Sequence, residues 1–399
     1  MRITDVEAYL PHRPPEPPSW LSHIRVANPM SRYPEYGARR ALWLGPMGPV
    51  IVRVKTDDGL EGIGLGGGGN PGCFIVEQHL KRLLVGQDPR DTERLWDQMF
   101  RATLPYGRKG LPLMAISGVD NALWDIKGKA VDQPVYKLLG GATKPDIPVY
   151  ATGNQSAVYK SLGFVGNKVA MPYGPWDGVE GMKLNEKHVA DAREALGPDM
   201  LLMLDCYMAW DVTYTLRMAE RLRPYDVFWI EEALPPDDYE GYAELRRRIS
   251  WTRITTGEHE YTRFGFHELI QRGCADILQP DLAWCGGITE AHRAAQMAEP
   301  HGIDVIPHVG ATASYHFCLA HGNAPLVEFI FRTGDGSELA PVQPFFSNEP
   351  LPENGRVRPP ETAGWGNEIA SEVTLERPHP TAESKEKAEP GSAGLGTGE

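Results

Sequence analysis

From about residue 145 onward the chain repeats one pattern: a short apolar run, a polar residue that closes it, and a stretch with apolar positions at helical spacing. The runs lie at 148–152, 166–171, 201–205, 227–231, 254–258, 276–281, 304–308 and 326–331. Eight such strands with helical crossovers predict an α/β fold, a (β/α)7β barrel of the TIM type. The residues before it read differently. A strand at 3–10 and a hairpin of 50–56 and 61–64 around Asp57-Asp58-Gly59 predict a small antiparallel sheet. Helical patterns follow at 75–84, 91–101 and 114–131, the last placing Ile116, Val119, Leu123 and Ile126 on one face to cover that sheet. The expected division is an α+β capping domain at 1–125, a catalytic barrel at 126–331 and a Pro-rich segment at 332–375 that returns to the cap. The tail at 376–399 has almost nothing apolar and is expected to be disordered.

A length of 399 residues supplies enough core for two structural units without disulfide staples. With 40 Lys+Arg against 53 Asp+Glu, the net charge of −13 argues against a nucleic-acid or polybasic membrane binder, either of which needs a clustered positive field. Bound cations remain compatible with that balance. Cys73, Cys206, Cys274, Cys285 and Cys318 are scattered and never form a C-x-x-C pair, so neither a disulfide framework nor a thiolate zinc site is expected. A reducing cytoplasm is the expected location. The first residues carry Asp5, Glu7 and then prolines, and no run of 18 apolar residues occurs, so neither a signal peptide nor a membrane span is expected.

The chemistry is read from the polar residues that close the runs. Asp205, Glu231, Glu258, Asp281 and His308 follow one another at intervals of 26, 27, 23 and 27, about one strand–helix unit each. Strand ends of a barrel share one face, so these side chains converge although they are distant in sequence. Taken singly, Asp205, Glu231 and Glu258 could each be a strand-end acid or a helix cap. Three in register at successive strand ends favour a shared cation site, and hard oxygen donors without Cys point to Mg²⁺ over Zn²⁺. Asp281 is placed to accept the imidazole N–H of His308 and orient it as a general base, although it could also cap the turn after Pro280. Glu328, in the eighth strand, reads as a donor when protonated, as a partner for a substrate hydroxyl, or as a strand acid paired with a basic neighbour. One divalent cation and one His base suit removal of a proton α to a carboxylate. If the β-carbon carries a hydroxyl, protonated His308 can return its proton there and water leaves; racemisation would need a second base on the opposite face.

The segments that carry these residues resemble the enolase superfamily, in its mandelate racemase/muconate lactonizing branch and, within that, the L-rhamnonate dehydratase group. They are NPMSRYPEY at 28–36, ISGVDNALWDIKGKAVDQPVYKLLGG at 116–141, MLDCYM at 203–208, WIEEALPPDDYEGYAELRR at 229–247, TTGEHE at 255–260, QPDLAWCGGITE at 279–290, PH at 307–308 and SYHF at 314–317. The resemblance runs from near residue 20 to about 368 and implies that Asp205, Glu231 and Glu258 bind Mg²⁺. It makes His308 the acid/base, Asp281 its partner and Glu328 a transition-state stabiliser. Arg40, with Arg39 one position away, matches a substrate-contacting Arg after the NPMS motif. The family's substrate-contacting His before that motif falls on His12 or His23, of which His23 is carried forward. Racemases of the superfamily carry Lys-x-Lys at the second strand end, where this chain has Lys168-Val169-Ala170. The missing second lysine favours one-base dehydration, with Lys168 facing the substrate carboxylate. The implied activity is that of a carbon–oxygen lyase, an acid-sugar dehydratase converting a six- or five-carbon aldonate, L-rhamnonate first, to its 2-keto-3-deoxy product. A different acid-sugar substrate, an epimerase and a non-catalytic metal-binding relative are the alternatives. A homo-oligomer is implied as well. The chain departs from the pattern in the shorter loop before NPMS and at Met171-Pro172-Tyr173-Gly174-Pro175, where some members place a His.

Gly62-Ile-Gly-Leu-Gly-Gly67 matches a dinucleotide-loop pattern, but its strand belongs to a hairpin and Asn70-Pro71-Gly72 is expected to delay the next helix. A flexible cap loop near the barrel mouth is expected instead. Asp237 and Asp238 read as N-cap acids, and His259 and Glu260 as support for the neighbouring ligand or as a structural pair.

Overall fold

The computed structural model describes residues 1–12, 24–36, 48–332 and 335–381. In the cap, β1 (Ile3–His12), β2 (Val50–Thr56) and β3 (Glu61–Gly66) form an antiparallel sheet in that order, with β2 and β3 as the expected hairpin. Gly62, Gly64 and Gly66 alternate along β3 and so share one face. Against that face lies the helix Leu111–Ala130. A Cβ on Gly62 would stand 2.1 Å from the Ala122 carbonyl oxygen, and one on Gly64 2.1 Å from that of Gly118. The glycines are thus the contact surface for a helix, and the flexible loop expected at 62–67 is for the most part a strand. The delay expected at Asn70-Pro71-Gly72 is not observed either. A helix opens at once as Gly69–Ile75, since Pro71 falls in the first turn, where its missing N–H leaves no bond unmade. β3 pairs antiparallel with β2, as expected for a hairpin and not for a dinucleotide-binding unit.

The long helix Leu111–Ala130 is buried on nearly all sides and carries polar residues that fasten the cap to the barrel. Asp120 accepts from the Thr289 backbone N–H at 2.9 Å and from its hydroxyl at 2.7 Å. The Asn121 amide donates to the carbonyls of Leu65 in the cap and Leu282 in the barrel, at 2.9 and 3.0 Å. The division expected between residues 125 and 126 falls inside this helix.

The barrel strands are β4 (Ile147–Thr152), β5 (Gly166–Ala170), β6 (Leu201–Asp205), β7 (Val227–Glu231), β8 (Arg253–Thr256), β9 (Ile277–Leu278), β10 (Asp304–Val305) and β11 (Val327–Ile330). They are parallel in the order β11-β4-β5-β6-β7-β8-β9-β10. β9 and β10 are short because Pro280 and Pro307 have no N–H for the ladder; beyond them the two chains meet at a single bridge between Asp281 and His308. Tyr150, Met203, Trp229, Ile277, Ile306 and Leu326 form a buried layer in the barrel. Two residues further along each strand, side chains face the same way. Those positions are Thr152, Asp205, Glu231, Gln279, His308 and Glu328, so the polar layer rests directly on an apolar one.

After β11 the chain pairs β12 (Arg356–Val357) with β4, and Trp365 bonds to Asp125 and Asn121 of the long cap helix. It then adds β13 (Thr374–Glu376) to the edge of β1. Residues 376–381, read from sequence as the start of a disordered tail, are held against the cap. The Arg377 guanidinium spans Glu77 and Glu7, and His379 meets the Phe74 ring edge-on at 5.4 Å. Ion pairing to buried carboxylates holds this stretch, and hydropathy carries no trace of that. The expected tail from 382 to 399 lies outside the described residues. Among the described residues, no helix is long and apolar enough to cross a membrane, and all five cysteines are free and buried.

Candidate active site

Asp205 stands opposite Glu231 in the ladder, and Glu231 opposite Thr255. Glu258 lies two residues beyond β8, after Gly257 at φ +127°, where the left-handed backbone favours glycine and turns the chain. Non-glycine residues in the left-handed region follow three site residues closely: Tyr207 at φ 45°, Glu232 at 43° and Val309 at 58°. Such backbone is sparsely populated, and here it turns the chain outward just after the residues that matter.

Lys168 on β5 is buried, and its ammonium lies 2.6 Å from Glu231, 3.0 Å from Glu328 and 3.8 Å from Asp205. Burial alone would strip its charge, but the surrounding carboxylates hold it well above the ordinary lysine range. Burial raises the Glu231 carboxyl to about 8, against the pull of Lys168 and with Asp205 and Glu328 adding to the rise. Two further donors reach Glu231 Oε2, the Trp229 indole at 3.0 Å and the Gln279 amide at 2.9 Å, so Oε2 is placed as an acceptor. Glu328 accepts from the Thr152 hydroxyl at 2.5 Å and from the Val309 backbone N–H at 2.7 Å. Burial would raise its carboxyl, yet Lys168 and His308 outweigh burial and bring it down to about 2. The Thr152 hydroxyl, the Val309 N–H and the Lys168 ammonium all point at Glu328, a geometry that suits an ionised acceptor.

His308 bonds through Nδ1 to Asp281 Oδ2 at 2.8 Å, which fixes the Nδ1–H tautomer because a carboxylate only accepts. Its Nε2 points to Glu258 Oε1 at 3.3 Å. Burial would lower the imidazole, but Glu258, the Asp281 bond and Glu328 raise it to about 10. Burial raises the Glu258 carboxyl in turn, against the pull of His308.

Thr152, Lys168, Ala170, Asp205, Glu258, His308 and Glu328 line one cavity of about 260 Å³, with Tyr207, Trp284 and Arg332. Glu231 lies behind this wall, bonded to Lys168. A second chamber of about 180 Å³ shares His308, Trp284, Val309 and Arg332 and is closed by Gly48 and Gly67 of the cap and by Gln343 and Phe345. The site thus sits between barrel, cap and C-terminal segment. A larger cavity, about 1090 Å³, lies elsewhere, between the 104–109 cap loop and the helix Thr262–Gln271, and lacks this convergence of charge.

Six of the residues expected from sequence, Asp205, Glu258, His308, Asp281, Glu328 and Lys168, line these chambers, and Glu231 adjoins them. Arg40, Arg39 and His23 lie outside the described residues. His12 is not at the site: it sits half-exposed at the cap edge, bonded to Glu376 at 3.0 Å. Sequence reasoning missed Thr152, Trp229, Gln279, Trp284 and Arg332. It also gave no role to Glu232, whose buried carboxylate holds His259 Nδ1 at 2.8 Å. Glu232, Glu258 and His259 are the one trio of ligand-type residues within 4.8 Å of one another among the described residues. Glu232 and His259 satisfy each other as an ion pair, and the Glu231-Glu232 doublet was the only available signal. Asp205, Glu231 and Glu258 are spread more widely around the cationic groups of Lys168 and His308. Asp205, Glu231, Glu258, Asp281 and Glu328 outnumber those two cations, and their donors are all oxygen. Such a set fits a hard divalent cation such as Mg²⁺.

Residues 156–373 match the enolase C-terminal domain-like family, and residues 41–140 match the N-terminal domain of the mandelate racemase/muconate lactonizing enzyme family. The chain belongs to that family, within the enolase superfamily. It is 48% identical over 363 residues to an L-rhamnonate dehydratase of Saccharopolyspora erythraea, covering 90% of this chain and 93% of that protein. Among solved structures it resembles a Gibberella zeae rhamnonate dehydratase complexed with Mg, with TM-score 0.90, 37% identity and coverage of 94% and 96% of the two chains. It also resembles the 3,6-anhydro-D-galactonate cycloisomerase of Zobellia galactanivorans, with TM-score 0.75, 29% identity and coverage of 92% and 97%.

Proposed function

We propose that this chain is a Mg²⁺-dependent acid-sugar dehydratase, a hydro-lyase that takes L-rhamnonate or a closely similar aldonate to a 2-keto-3-deoxy acid. One observation carries the reaction class. His308, oriented by Asp281, stands on the cavity wall as a base, while the wall position two residues after Lys168 is Ala170, which offers no second base. The identity to rhamnonate dehydratases supports the choice of substrate.

With Asp281 on Nδ1–H, and with Glu258 drawn to the cation so that it no longer holds a proton on Nε2, the neutral His308 takes the proton from C2 through Nε2. The same proton goes to the C3 hydroxyl; the C2–H and C3–O bonds break, the C2=C3 bond forms, water leaves and the enol tautomerises to the ketone. Bound Mg²⁺, held by Asp205, Glu231 and Glu258, would supply positive charge for the substrate carboxylate and for the further negative charge that grows there as C2 is deprotonated. Glu328, kept ionised by Lys168, accepts from a substrate hydroxyl, and Lys168 faces the carboxylate end. Arg40 and His23 are assigned to the distal end on the family resemblance. The same resemblance supports a cytoplasmic homo-oligomer.

The test is incubation with Mg²⁺ and a library of acid sugars, assayed for 2-keto-3-deoxy acids. L-rhamnonate should give the fastest turnover, and silence across the library would overturn the dehydratase assignment.

A further inference from the structure

Glu231 presents two chemically different oxygens. Oε2 accepts from the Trp229 indole N–H and the Gln279 amide N–H, at 3.0 and 2.9 Å, whereas Oε1 meets the Lys168 ammonium at 2.6 Å. All four side chains are fully buried or nearly so. At its other end the Gln279 amide Oε1 accepts from the Thr255 hydroxyl at 2.6 Å, a hydroxyl that also lies 3.0 Å from the Ile277 carbonyl oxygen. Turned around, the amide would set its oxygen against a carboxylate oxygen, so the N–H faces Glu231. The strand order makes this relay: Thr255 on β8 stands opposite Glu231 on one side and Ile277 on the other, and Gln279 follows Ile277 by two residues on the same face.

We propose that Gln279, held by Thr255, is a positioning residue for the cation site: with Trp229 it occupies Oε2 of Glu231, so that only Oε1, held by Lys168 in this structure, is left for a divalent cation to share. The inference rests on Glu231 being a cation ligand. Two neutral N–H donors fix the rotamer of that side chain and take up Oε2, making Glu231 a one-oxygen ligand instead of a bidentate clamp. Groups that orient ligands in this way typically change metal affinity by about 10- to 100-fold.

The experiment measures Mn²⁺ affinity of the full chain by electron paramagnetic resonance, with no substrate and no turnover. Q279L, which keeps the volume but removes both amide bonds, should bind about tenfold more weakly than the parent. T255V should weaken binding as well, because the amide is no longer held, and T255S should restore it. A merely structural role would not distinguish T255S from T255V in affinity while leaving their metal-free melting temperatures together. E231Q is the control for the underlying assignment. If E231Q loses Mn²⁺ while Q279L and T255V bind like the parent, the positioning role is overturned and the ligand assignment stands. If E231Q binds like the parent, or the parent itself binds no Mn²⁺, the ligand assignment falls and this inference falls with it. Should Q279L not fold, the T255V and T255S pair decides alone.

Discussion

His316 gives a prediction whose size follows from the structure. It sits fully buried in the helix Thr312–Ala320, with Nδ1 accepting from the Tyr136 backbone N–H at 3.2 Å and Nε2 donating to the Trp365 carbonyl at 3.2 Å. Both ring nitrogens are used by one neutral tautomer, and a proton on Nδ1 would face a donor. Burial is the dominant cause that brings the imidazole down to about 4, opposed weakly by the Trp365 bond and by Glu361. In the unfolded chain the group titrates near 6.5. Between those values the unfolded chain binds a proton that the native state does not, so stability present above about pH 6.5 is lost as pH falls toward 4. At about pH 4.5 the loss attributable to this one group is roughly 2.5 kcal/mol, taking 1.36 kcal/mol per pKa unit. H316Q keeps a donor and an acceptor but cannot titrate. Urea unfolding of both proteins, followed by tryptophan fluorescence at pH 7.5 and pH 4.5, measures the difference. The parent should be the more stable at pH 7.5, by about 1 kcal/mol, and should lose that advantage or fall behind at pH 4.5. An equal gap at both values would refute the reasoning. Trp365 belongs to the same C-terminal segment as Gln343 and Phe345, which close the second chamber, so acid loosening should reach the site as well.

Three further outcomes are expected. His308→Asn should abolish turnover and the exchange of the substrate C2 proton with solvent while Mn²⁺ binding persists; surviving exchange would remove His308 as the base. Asp281→Asn should lower kcat by about 10²- to 10⁴-fold, the usual worth of an oriented acid/base group, with little change in metal affinity. Gly64→Ala would bring a Cβ to 2.1 Å from the Gly118 carbonyl, so the cap helix must shift; a cost of about 1–3 kcal/mol is expected, and an unchanged melting temperature would contradict the close approach.

The site was legible where chemistry follows strand period. Asp205, Glu231, Asp281 and His308 each close an apolar run, so spacing alone located them. Pro280 and Pro307 were equally visible, and they account for the two shortest barrel strands. Gln279, Trp229 and Thr152 were not legible, because their roles arise from which side chains meet across neighbouring strands. Gly62, Gly64 and Gly66 misled, since a stripe for helix packing and a flexible loop draw on the same lack of a side chain. Arg377 misled for another reason: its partners Glu7 and Glu77 lie some 300 residues or more away in sequence.

Lys168 has a consequence for handling the protein. Carboxylates gathered around an empty centre repel one another, and a protein whose cation is its only counter-charge falls apart when a chelator strips the metal. Here a buried ammonium on β5 already spans Glu231 and Glu328. The stripped protein therefore has an internal counter-ion and is expected to stay folded in EDTA; a circular-dichroism melt before and after chelation checks this, and loss of the folded signal on chelation would contradict it.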